Sequence, residues 1–351
     1  MIEFEYRSTC PPGRVKVLVG VSYVEELGKL AKEYTSCIAI IPKSLEGVVK
    51  APCHMVPIID GEAGKDIGNV VKIAQEAYNM GLDRGGLFVG IGGGSVLDVA
   101  GFAASIYMRG VDYVNVPSTT LAMVDAALGG KTGVNALGLK NVLGIIRQPR
   151  EIIIDLNLLK TLPYANYIDG FAEVVKYGVT LDRGILNIVE GHYADIANRD
   201  FKVLEELVYR SLRVKASVVE ADEEDRLGLR IVLNYGHTVG HALEAASNFT
   251  ISHGRAVAMG MVCEALVGEK MGYTPAHVVD EVKEVLKRLN LIQDVKVDKS
   301  LVARAIMGDK KRRGGSLKIP MVTDLGSWIP VEVKVDEYVK AVADICGFTA
   351  S

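Results

Sequence analysis

Apolar and polar positions over the first 155 residues predict a parallel β-sheet flanked by helices. Short runs that are apolar throughout suit strands covered on both faces, and they occur at residues 15–20, 37–41, 54–59, 86–92, 113–117 and 151–156. Between these runs, residues 22–34, 64–81 and 95–110 have the apolar periodicity of helices. Because strands that alternate with helices form βαβ units, we expect a Rossmann-like, mostly parallel α/β domain over residues 1–155.

After residue 155 the pattern becomes helical. Apolar residues recur at intervals of three and four in the segments 171–193, 201–225, 236–248, 254–272 and 276–290. The sequence contains no internal repeat and no low-complexity tract. We therefore predict a second, mostly α-helical domain over residues 156–351.

Composition narrows the functional classes. The formal net charge is −3 over 351 residues, so no basic footprint indicates a nucleic-acid or membrane partner. The five cysteines are scattered, odd in number and form no CxxC pair, so we expect neither a disulfide framework nor a thiolate zinc site. The N-terminus lacks the apolar stretch of a signal peptide. These features favour a soluble cytoplasmic protein.

A glycine-rich turn follows one predicted strand and opens the next predicted helix. Its residues Gly92, Gly93, Gly94 and Ser95 stand in the stretch LFVGIGGGSVLDVAG. Glycines let a backbone approach a pyrophosphate, and a helix N-terminus offers free N–H groups. The spacing departs from G-x-G-x-x-G, so phosphate binding and a simple tight turn both remain open.

The segment 116–141 is rich in glycine and small polar residues, with Asp125, Lys131, Lys140 and Asn141 spaced along it. We predict a long loop there. Loops of this length within a compact domain are usually functional or disordered, and the apolar content of this one favours function. A surface loop with solvated charges is the alternative.

Histidine is scarce, and half of it lies in one short segment. Of six histidines in the chain, His237, His241 and His253 stand within LNYGHTVGHALEAASNFTISHGRAVAMG. His237 and His241 are four residues apart and share a helix face. Two imidazoles and one carboxylate would make a three-ligand metal site, whereas hydrogen-bonded core histidines would explain the same spacing. Glu173 is a candidate carboxylate, but its spacing from Lys176 alone predicts only an exposed ion pair.

Seven ordered blocks of this sequence resemble the 3-dehydroquinate synthase family. They are the segments 61–65, 92–110, 116–135, 170–178, 228–244, 253–261 and 309–311. The resemblance implies an NAD-binding domain followed by a helical metal-binding domain. It also implies conversion of 3-deoxy-D-arabino-heptulosonate 7-phosphate to 3-dehydroquinate and phosphate, a step of the shikimate pathway, through transient oxidation by NAD.

The same resemblance implies the site residues. For the metal, Zn²⁺ with Co²⁺ as a possible substitute, they are Glu173, His237 and His253. For NAD they are Asp60, Glu62, Lys65, Gly92, Gly93, Gly94, Ser95, Asp98, Ser118, Thr119, Asp125, Lys131 and Lys140. For substrate and catalysis they are Arg109, Asp125, Lys131, Asn141, Lys176, Lys215, Arg230, Asn234, His241 and one of Lys310 and Lys311. Arg109 is expected to reach the neighbouring subunit of a homodimer.

Two departures from the family pattern stand out. The loop after the predicted strand 37–41 lacks the usual acidic or amide residue for the adenosine ribose, and Asp60 or Glu62 is expected to serve instead. The segment between Lys215 and Arg230 is one residue longer than usual.

Three other functions compete with this interpretation. A cyclase of sedoheptulose 7-phosphate would act on a substrate without the carboxylate, but Arg230 and Asn234 fit the dehydroquinate synthase pattern. A metal-dependent polyol or glycerol phosphate dehydrogenase would share the two-domain plan. A non-catalytic nucleotide-binding protein would not require the metal-binding pattern.

Overall fold

The computed structural model describes residues 1–292, 297–310 and 315–346, with only the backbone for residues 309 and 310. The chain divides into two compact units. The first unit comprises residues 1–163 together with residues 215–224. The second unit comprises residues 164–214 together with the residues from 225 onward.

A seven-stranded sheet forms the centre of the first unit. Its strands are β1 (Ile2–Thr9), β2 (Pro12–Val19), β3 (Cys37–Pro42), β4 (His54–Ile58), β5 (Leu87–Gly92), β6 (Asp112–Pro117) and β9 (Glu151–Ile154). A separate hairpin of β7 (Lys131–Ala136) and β8 (Leu139–Ile146) lies between β6 and β9 in the sequence. The strands of the sheet lie in the order β1-β2-β9-β6-β5-β3-β4, and every pair except β1–β2 is parallel. The predicted α/β class with a mostly parallel sheet is confirmed.

Helices α1 (Tyr23–Leu30), α2 (Ile67–Asn79) and α3 (Gly94–Ile106) connect these strands. All residues of β3 and β5 are buried, which explains their unbroken apolar runs. The chain goes outward from β3 to β4 and then returns to place β5 on the other side of β3. In open α/β sheets, ligands bind beyond the carboxyl ends of the strands where the winding reverses. The turn after β5 lies at such a point.

Strand β1 was not predicted, although residues 2–9 alternate in burial with Phe4 and Tyr6 facing the core. Its far end is held by the short segment 215–224. Glu220 accepts a hydrogen bond from the backbone N–H of Arg7 at 2.6 Å, and Glu223 accepts one from the N–H of Thr9 at 2.6 Å. These contacts explain why a segment so distant in sequence belongs to the first unit.

The second unit is mostly helical. Its helices are α4 (Tyr164–Asp169), α5 (Phe171–Thr180), α6 (Arg183–Gly191), α7 (Tyr193–Ala197), α8 (Phe201–Ala221, whose last turns belong to the first unit), α9 (His237–Ala246), α10 (His253–Lys270), α11 (Ala276–Arg288), α12 (Lys299–Lys310) and α13 (Val335–Ile345). In the described parts of the chain, no helix has both the length and the apolar character needed to span a membrane.

Two predictions for this unit need correction. The single helix predicted over 171–193 is broken, because Asp182 turns the chain and caps α6 by accepting the N–H of Gly184 at 2.9 Å. A hairpin of β10 (Ser316–Asp324) and β11 (Ser327–Lys334) was not predicted. It contributes Leu317, Ile319 and Met321 to a core shared with α9 and α10.

The expectation that the chain lacks disulfides is wrong. Cys37 pairs with Cys53, and Cys263 pairs with Cys346, with Cα–Cα distances of 4.9 and 5.3 Å. The parallel register of β3 and β4 pairs Ile38 with His54, so it places the two preceding cysteines side by side. Sequence separations of 16 and 83 residues conceal this proximity, which only the strand and helix packing creates.

Candidate metal centre and cofactor-binding turn

Glu173 and Lys176 lie on α5 and are both fully buried, at 0% and 1% exposure. The predicted ion pair between these two residues is present, but the prediction that it is exposed is wrong. The ammonium of Lys176 also donates a hydrogen bond to the carbonyl oxygen of Leu233 at 2.8 Å. A buried carboxylate requires compensating charges or a metal, so Glu173 is a candidate for a metal ligand.

Two imidazoles converge on the carboxylate of Glu173. Its Oε1 atom lies 3.4 Å from Nε2 of His237 and 3.7 Å from Nε2 of His253. The three ligand atoms lie within 4.8 Å of one another. Within the described residues Oε1 is buried and has no hydrogen-bond partner. Two nitrogens and an orphaned buried oxygen that face a common point are the donor set of a divalent metal such as Zn²⁺.

The other nitrogen of each imidazole faces an oxygen. Nδ1 of His237 lies 3.1 Å from the carbonyl oxygen of Tyr235. Nδ1 of His253 lies 3.5 Å from Oε2 of Glu244. A carbonyl or carboxylate oxygen accepts, so Nδ1–H donates in both cases, and Nε2 is the ring nitrogen that faces Glu173. Metal-binding histidines are commonly oriented by such oxygens.

Burial and the neighbouring charges shift the pKa values of Glu173, His237 and His253. Burial alone would raise the pKa of Glu173, but Lys176 and the two imidazoles outweigh it and hold that pKa well below its ordinary range. Burial lowers the pKa of His237 to about 3 and keeps this ring neutral. Burial also opposes charge on His253, but the carboxylates of Glu173 and Glu244 raise its pKa to about 10. A metal that binds here therefore displaces a proton from His253.

Two carboxylates that the sequence analysis missed fix the helices that carry these histidines. Glu264, on α10, accepts the N–H of Gly236 at 2.8 Å and the N–H of Val239 at 3.3 Å, and so caps the start of α9 at His237. Asp169, at the end of α4, accepts the N–H of Gly254 at 2.9 Å and caps the start of α10. Neither residue could be found from sequence spacing, because each acts on a helix other than its own.

His241 extends the cluster, its ring centroid lying 5.3 Å from that of His237 and 6.1 Å from that of His253. Arg230 and Asn234 occupy the helical turn Leu229–Asn234 that leads into α9, with Arg230 buried and Asn234 exposed. The second unit thus brings a cation and an amide next to the helix that carries His237. The side chain of Lys310, and Lys311, lie outside the described residues.

In the first unit, the glycine-rich turn joins β5 to α3 as predicted. Gly93 is the N-cap of α3, with φ −75° and ψ 175°. A Cβ on Gly93 would lie 3.2 Å from the Cγ2 atom of Thr119, and one on Gly94 would lie 3.1 Å from the Cβ atom of Ala126. The N–H of Ser118 donates to the carbonyl oxygen of Gly92 at 2.8 Å. The turn is therefore close-packed, and Ser95 follows it in the first turn of α3.

Lys65, Asp98 and Asn141 form a polar cluster beside this turn, in which Lys65 is buried, Asp98 half-buried and Asn141 exposed. The Lys65 ammonium lies 2.7 Å from Oδ2 of Asp98 and donates to Oδ1 of Asn141 at 2.5 Å. Burial raises the pKa of Asp98 to about 6, although Lys65 partly opposes the rise. The structure thus brings together three residues that the sequence placed in separate blocks.

Other predicted residues of the first unit have polar partners near the same strand ends. Asp60 accepts hydrogen bonds from the backbone and the hydroxyl of Ser44, in the loop that follows β3. Glu62 accepts the amide of Asn135 at 2.7 Å. The loop that lacks the family's acidic residue is thus paired with Asp60. Asp60 contacts the loop for which Asp60 or Glu62 was expected to supply the acid, and the choice between them stays a prediction.

The predicted long loop at residues 116–141 is wrong, because most of it is ordered secondary structure. Asp125 lies in a π-helical turn, Ala122–Ala126, and its Oδ1 pairs with the Lys215 ammonium at 2.5 Å. π-Helical turns are rare and concentrate at functional sites. Lys131 begins β7, and Lys140 lies on β8, both with exposed side chains.

Arg109 is exposed and has a left-handed backbone. Its φ is +69°, and the preceding Met108 has φ +46°. Two consecutive non-glycine residues in this region are costly and persist where the surroundings enforce them, often at functional sites.

Comparisons with known proteins cover both units. A family model described as the 3-dehydroquinate synthase N-terminal domain matches residues 55–169, and one for the C-terminal domain matches residues 170–312. The 3-dehydroquinate synthase of Sulfurisphaera tokodaii is 47% identical over 95% of this chain and 96% of its own. That of Saccharolobus solfataricus is 43% identical over the same shares.

Solved structures share the fold. A 2-deoxy-scyllo-inosose synthase complexed with carbaglucose-6-phosphate, NAD⁺ and Co²⁺ superposes with a TM-score of 0.84 at 24% identity, covering 98% of this chain and 99% of that one. The 2-epi-5-epi-valiolone synthase ValA from Streptomyces hygroscopicus, with NAD⁺ and Zn²⁺ bound, gives 0.83 at 23% identity, covering 93% and 95%. The family models and the close relatives agree across both units, and the chain belongs to the 3-dehydroquinate synthase family.

Proposed function

We propose that this chain converts 3-deoxy-D-arabino-heptulosonate 7-phosphate to 3-dehydroquinate and phosphate. The observation that carries the proposal is the convergence of Glu173, His237 and His253 in the second unit. Family membership supports the reaction, and the similar cyclases of known structure contain NAD and Co²⁺ or Zn²⁺. We infer that this chain uses NAD and a divalent metal in the same way.

Each unit would bind one of the two groups, NAD or the metal. The first unit would hold NAD at the turn of Gly92, Gly93, Gly94 and Ser95, where the start of α3 offers N–H groups to a pyrophosphate. The second unit would hold the metal at Glu173, His237 and His253. When bound, NAD supplies a reversible hydride acceptor, and the metal supplies a Lewis acid that acidifies a hydroxyl group.

Positive side chains suit a substrate with two anionic groups. The guanidinium of buried Arg230 fits a carboxylate with two parallel hydrogen bonds. In the second unit, Lys176 and Asn234 would orient the substrate. Lys131, Asn141 and Lys215 are the corresponding candidates in the first unit. His241 stands beside the proposed ligands and can take up or release a proton at a ring nitrogen.

Phosphate release tests this proposal. With the seven-carbon acid phosphate, added Zn²⁺ and substoichiometric NAD, we expect one phosphate per dehydroquinate and no accumulation of NADH. Net NADH formation from a simple polyol would instead identify a dehydrogenase. Preference for sedoheptulose 7-phosphate, which lacks the carboxylate, would identify a different sugar phosphate cyclase.

A Gly93→Val variant tests the NAD site. A Cβ there already approaches Thr119 at 3.2 Å, and the additional methyl groups would occupy the space in which a pyrophosphate approaches the backbone. We expect NAD affinity measured by calorimetry to fall by roughly a hundredfold or more, which corresponds to about 2.7 kcal/mol. Gly28→Ala, at a helical position with nothing within 4 Å, is the matched control. Unchanged affinity in Gly93→Val would place the cofactor elsewhere.

We also infer a homodimer. The support is the exposed, strained position of Arg109, which the family resemblance assigns to the neighbouring subunit's site. Sedimentation at micromolar concentration should give twice the chain mass. The cytoplasm stays the predicted location.

A further inference from the structure

We infer that Glu244 is a positioning residue that orients His253 toward the metal and fixes its tautomer. This inference rests on the proposed function, because it assumes that His253 binds the metal through Nε2. It adds a residue for which no role was expected from the sequence.

The geometry of α9 places Glu244 where such a residue must lie. His237, His241 and Glu244 occupy positions i, i+4 and i+7 of this helix, so they share one face. That face meets His253 at the start of α10: Nδ1 of His253 lies 3.5 Å from Oε2 of Glu244, and Nε2 lies 3.7 Å from Oε1 of Glu173. One imidazole therefore stands between two carboxylates, with one ring nitrogen facing each.

The two carboxylates differ in burial and in the ring nitrogen that they face, which indicates that Glu173 is the ligand and Glu244 the positioning residue. The side chain of Glu173 is completely buried, and its Oε1 atom faces both His237 and His253. The side chain of Glu244 is 11% exposed and faces the opposite edge of the His253 ring. With Glu244 accepting from Nδ1–H, the Nε2 lone pair is free to bind a metal on the Glu173 side, which is the carboxylate–histidine–metal arrangement.

The two imidazoles are not equivalent in this respect. His237 donates to a neutral backbone carbonyl, that of Tyr235, at 3.1 Å. His253 has a charged carboxylate as its acceptor. An anionic acceptor makes an imidazole a stronger electron donor than a neutral one does. Loss of the Glu244 charge should therefore weaken the metal site, even though no ligand atom is removed.

Zinc affinity of the full-length chain, measured by competition with a chromogenic chelator, tests the inference. We expect Glu244→Ala to weaken Zn²⁺ binding by roughly 10–100-fold. Glu244→Gln keeps an acceptor oxygen but no charge, so its loss should be smaller than that of the alanine variant. Asp324→Asn is the matched control, because Asp324 faces His277 at 3.3 Å in an exposed pair away from the cluster, and its zinc affinity should not change.

A spectroscopic measurement separates positioning from general destabilisation. In the zinc-bound protein, the ¹⁵N spectrum of His253 should show a protonated Nδ1, and in Glu244→Ala this signal should shift or exchange faster. Zinc affinity within twofold of the unsubstituted chain in Glu244→Ala would overturn the inference. So would loss of a second bound zinc equivalent, because it would make Glu244 a ligand of another metal with His241.

The failure of this inference can be distinguished from failure of the proposed function. If Glu173→Ala removes zinc binding but Glu244→Ala does not, only the role of Glu244 is wrong. If Glu173→Ala also retains full zinc affinity, the ligand set itself is wrong, and the role of Glu244 falls with it.

Discussion

A His253→Ala variant is expected to lose zinc affinity by ~10²–10⁴-fold. Zinc binding in small protein sites is worth about 10–16 kcal/mol in total, so one of three protein ligands carries on the order of 3–5 kcal/mol. Without His253, only Glu173 and His237 of the proposed ligand set remain. The variant should therefore give up its metal to a competing chelator that the unsubstituted chain resists.

Dialysis against a weak chelator followed by metal analysis measures this loss. His237→Ala should behave in the same way, since its Nε2 faces the same Glu173 oxygen. His277→Ala, at an exposed histidine that also faces a carboxylate, should keep a full metal equivalent. A full equivalent retained by His253→Ala would show that the metal binds elsewhere.

A Gly260→Ala variant should be destabilised by on the order of 3 kcal/mol, at the upper end of what overpacking costs. A Cβ at this position of α10 would overlap the carbonyl oxygen of Gly236 and lie 2.9 Å from the nitrogen of Gly240. These are backbone atoms of α9 and of the turn that precedes it, so no side-chain rotation can relieve the clash. Either α9 or α10 must move, and these two helices carry His237 and His253.

Urea denaturation monitored by circular dichroism measures this change. Gly308→Ala is the control, because this glycine lies in α12 with nothing within 4 Å of an added Cβ. A gain of up to about 1 kcal/mol is expected there, since alanine favours a helix over glycine. Zinc affinity of Gly260→Ala should fall together with its stability. A variant as stable as the parent would mean that α9 and α10 do not pack as closely as described.

The β-sheet could be predicted because the sequences of its buried strands are apolar throughout. Buried parallel strands such as β3 and β5 must be apolar throughout, and this pattern is visible without any knowledge of neighbours. The hairpins were missed for a related reason. β8 contains an apolar run at residues 142–146, but it is exposed along nearly its whole length, so it follows neither the buried nor the half-buried strand pattern and was included in the predicted loop. Strand β1 could have been predicted, because its apolar and polar residues alternate.

The metal cluster could be predicted only in part. Helix periodicity relates His237 to His241, but Glu173 comes from another helix and no spacing rule selects it. The family resemblance supplied that residue, whereas Glu244 could have been found from the i+7 position alone. The buried state of Lys176 and the two disulfides depend on long-range packing, which a local pattern does not encode.

The discontinuous first unit has a consequence for any attempt to dissect the protein. A fragment that ends at Pro163 would lack the segment 215–224 and with it Glu220 and Glu223, the carboxylates that accept the N–H groups of Arg7 and Thr9. It would also leave Asp125 without the ammonium of Lys215. A stable NAD-binding fragment therefore requires this short segment to be joined back through a linker. A simple truncation would discard part of the unit it was meant to isolate.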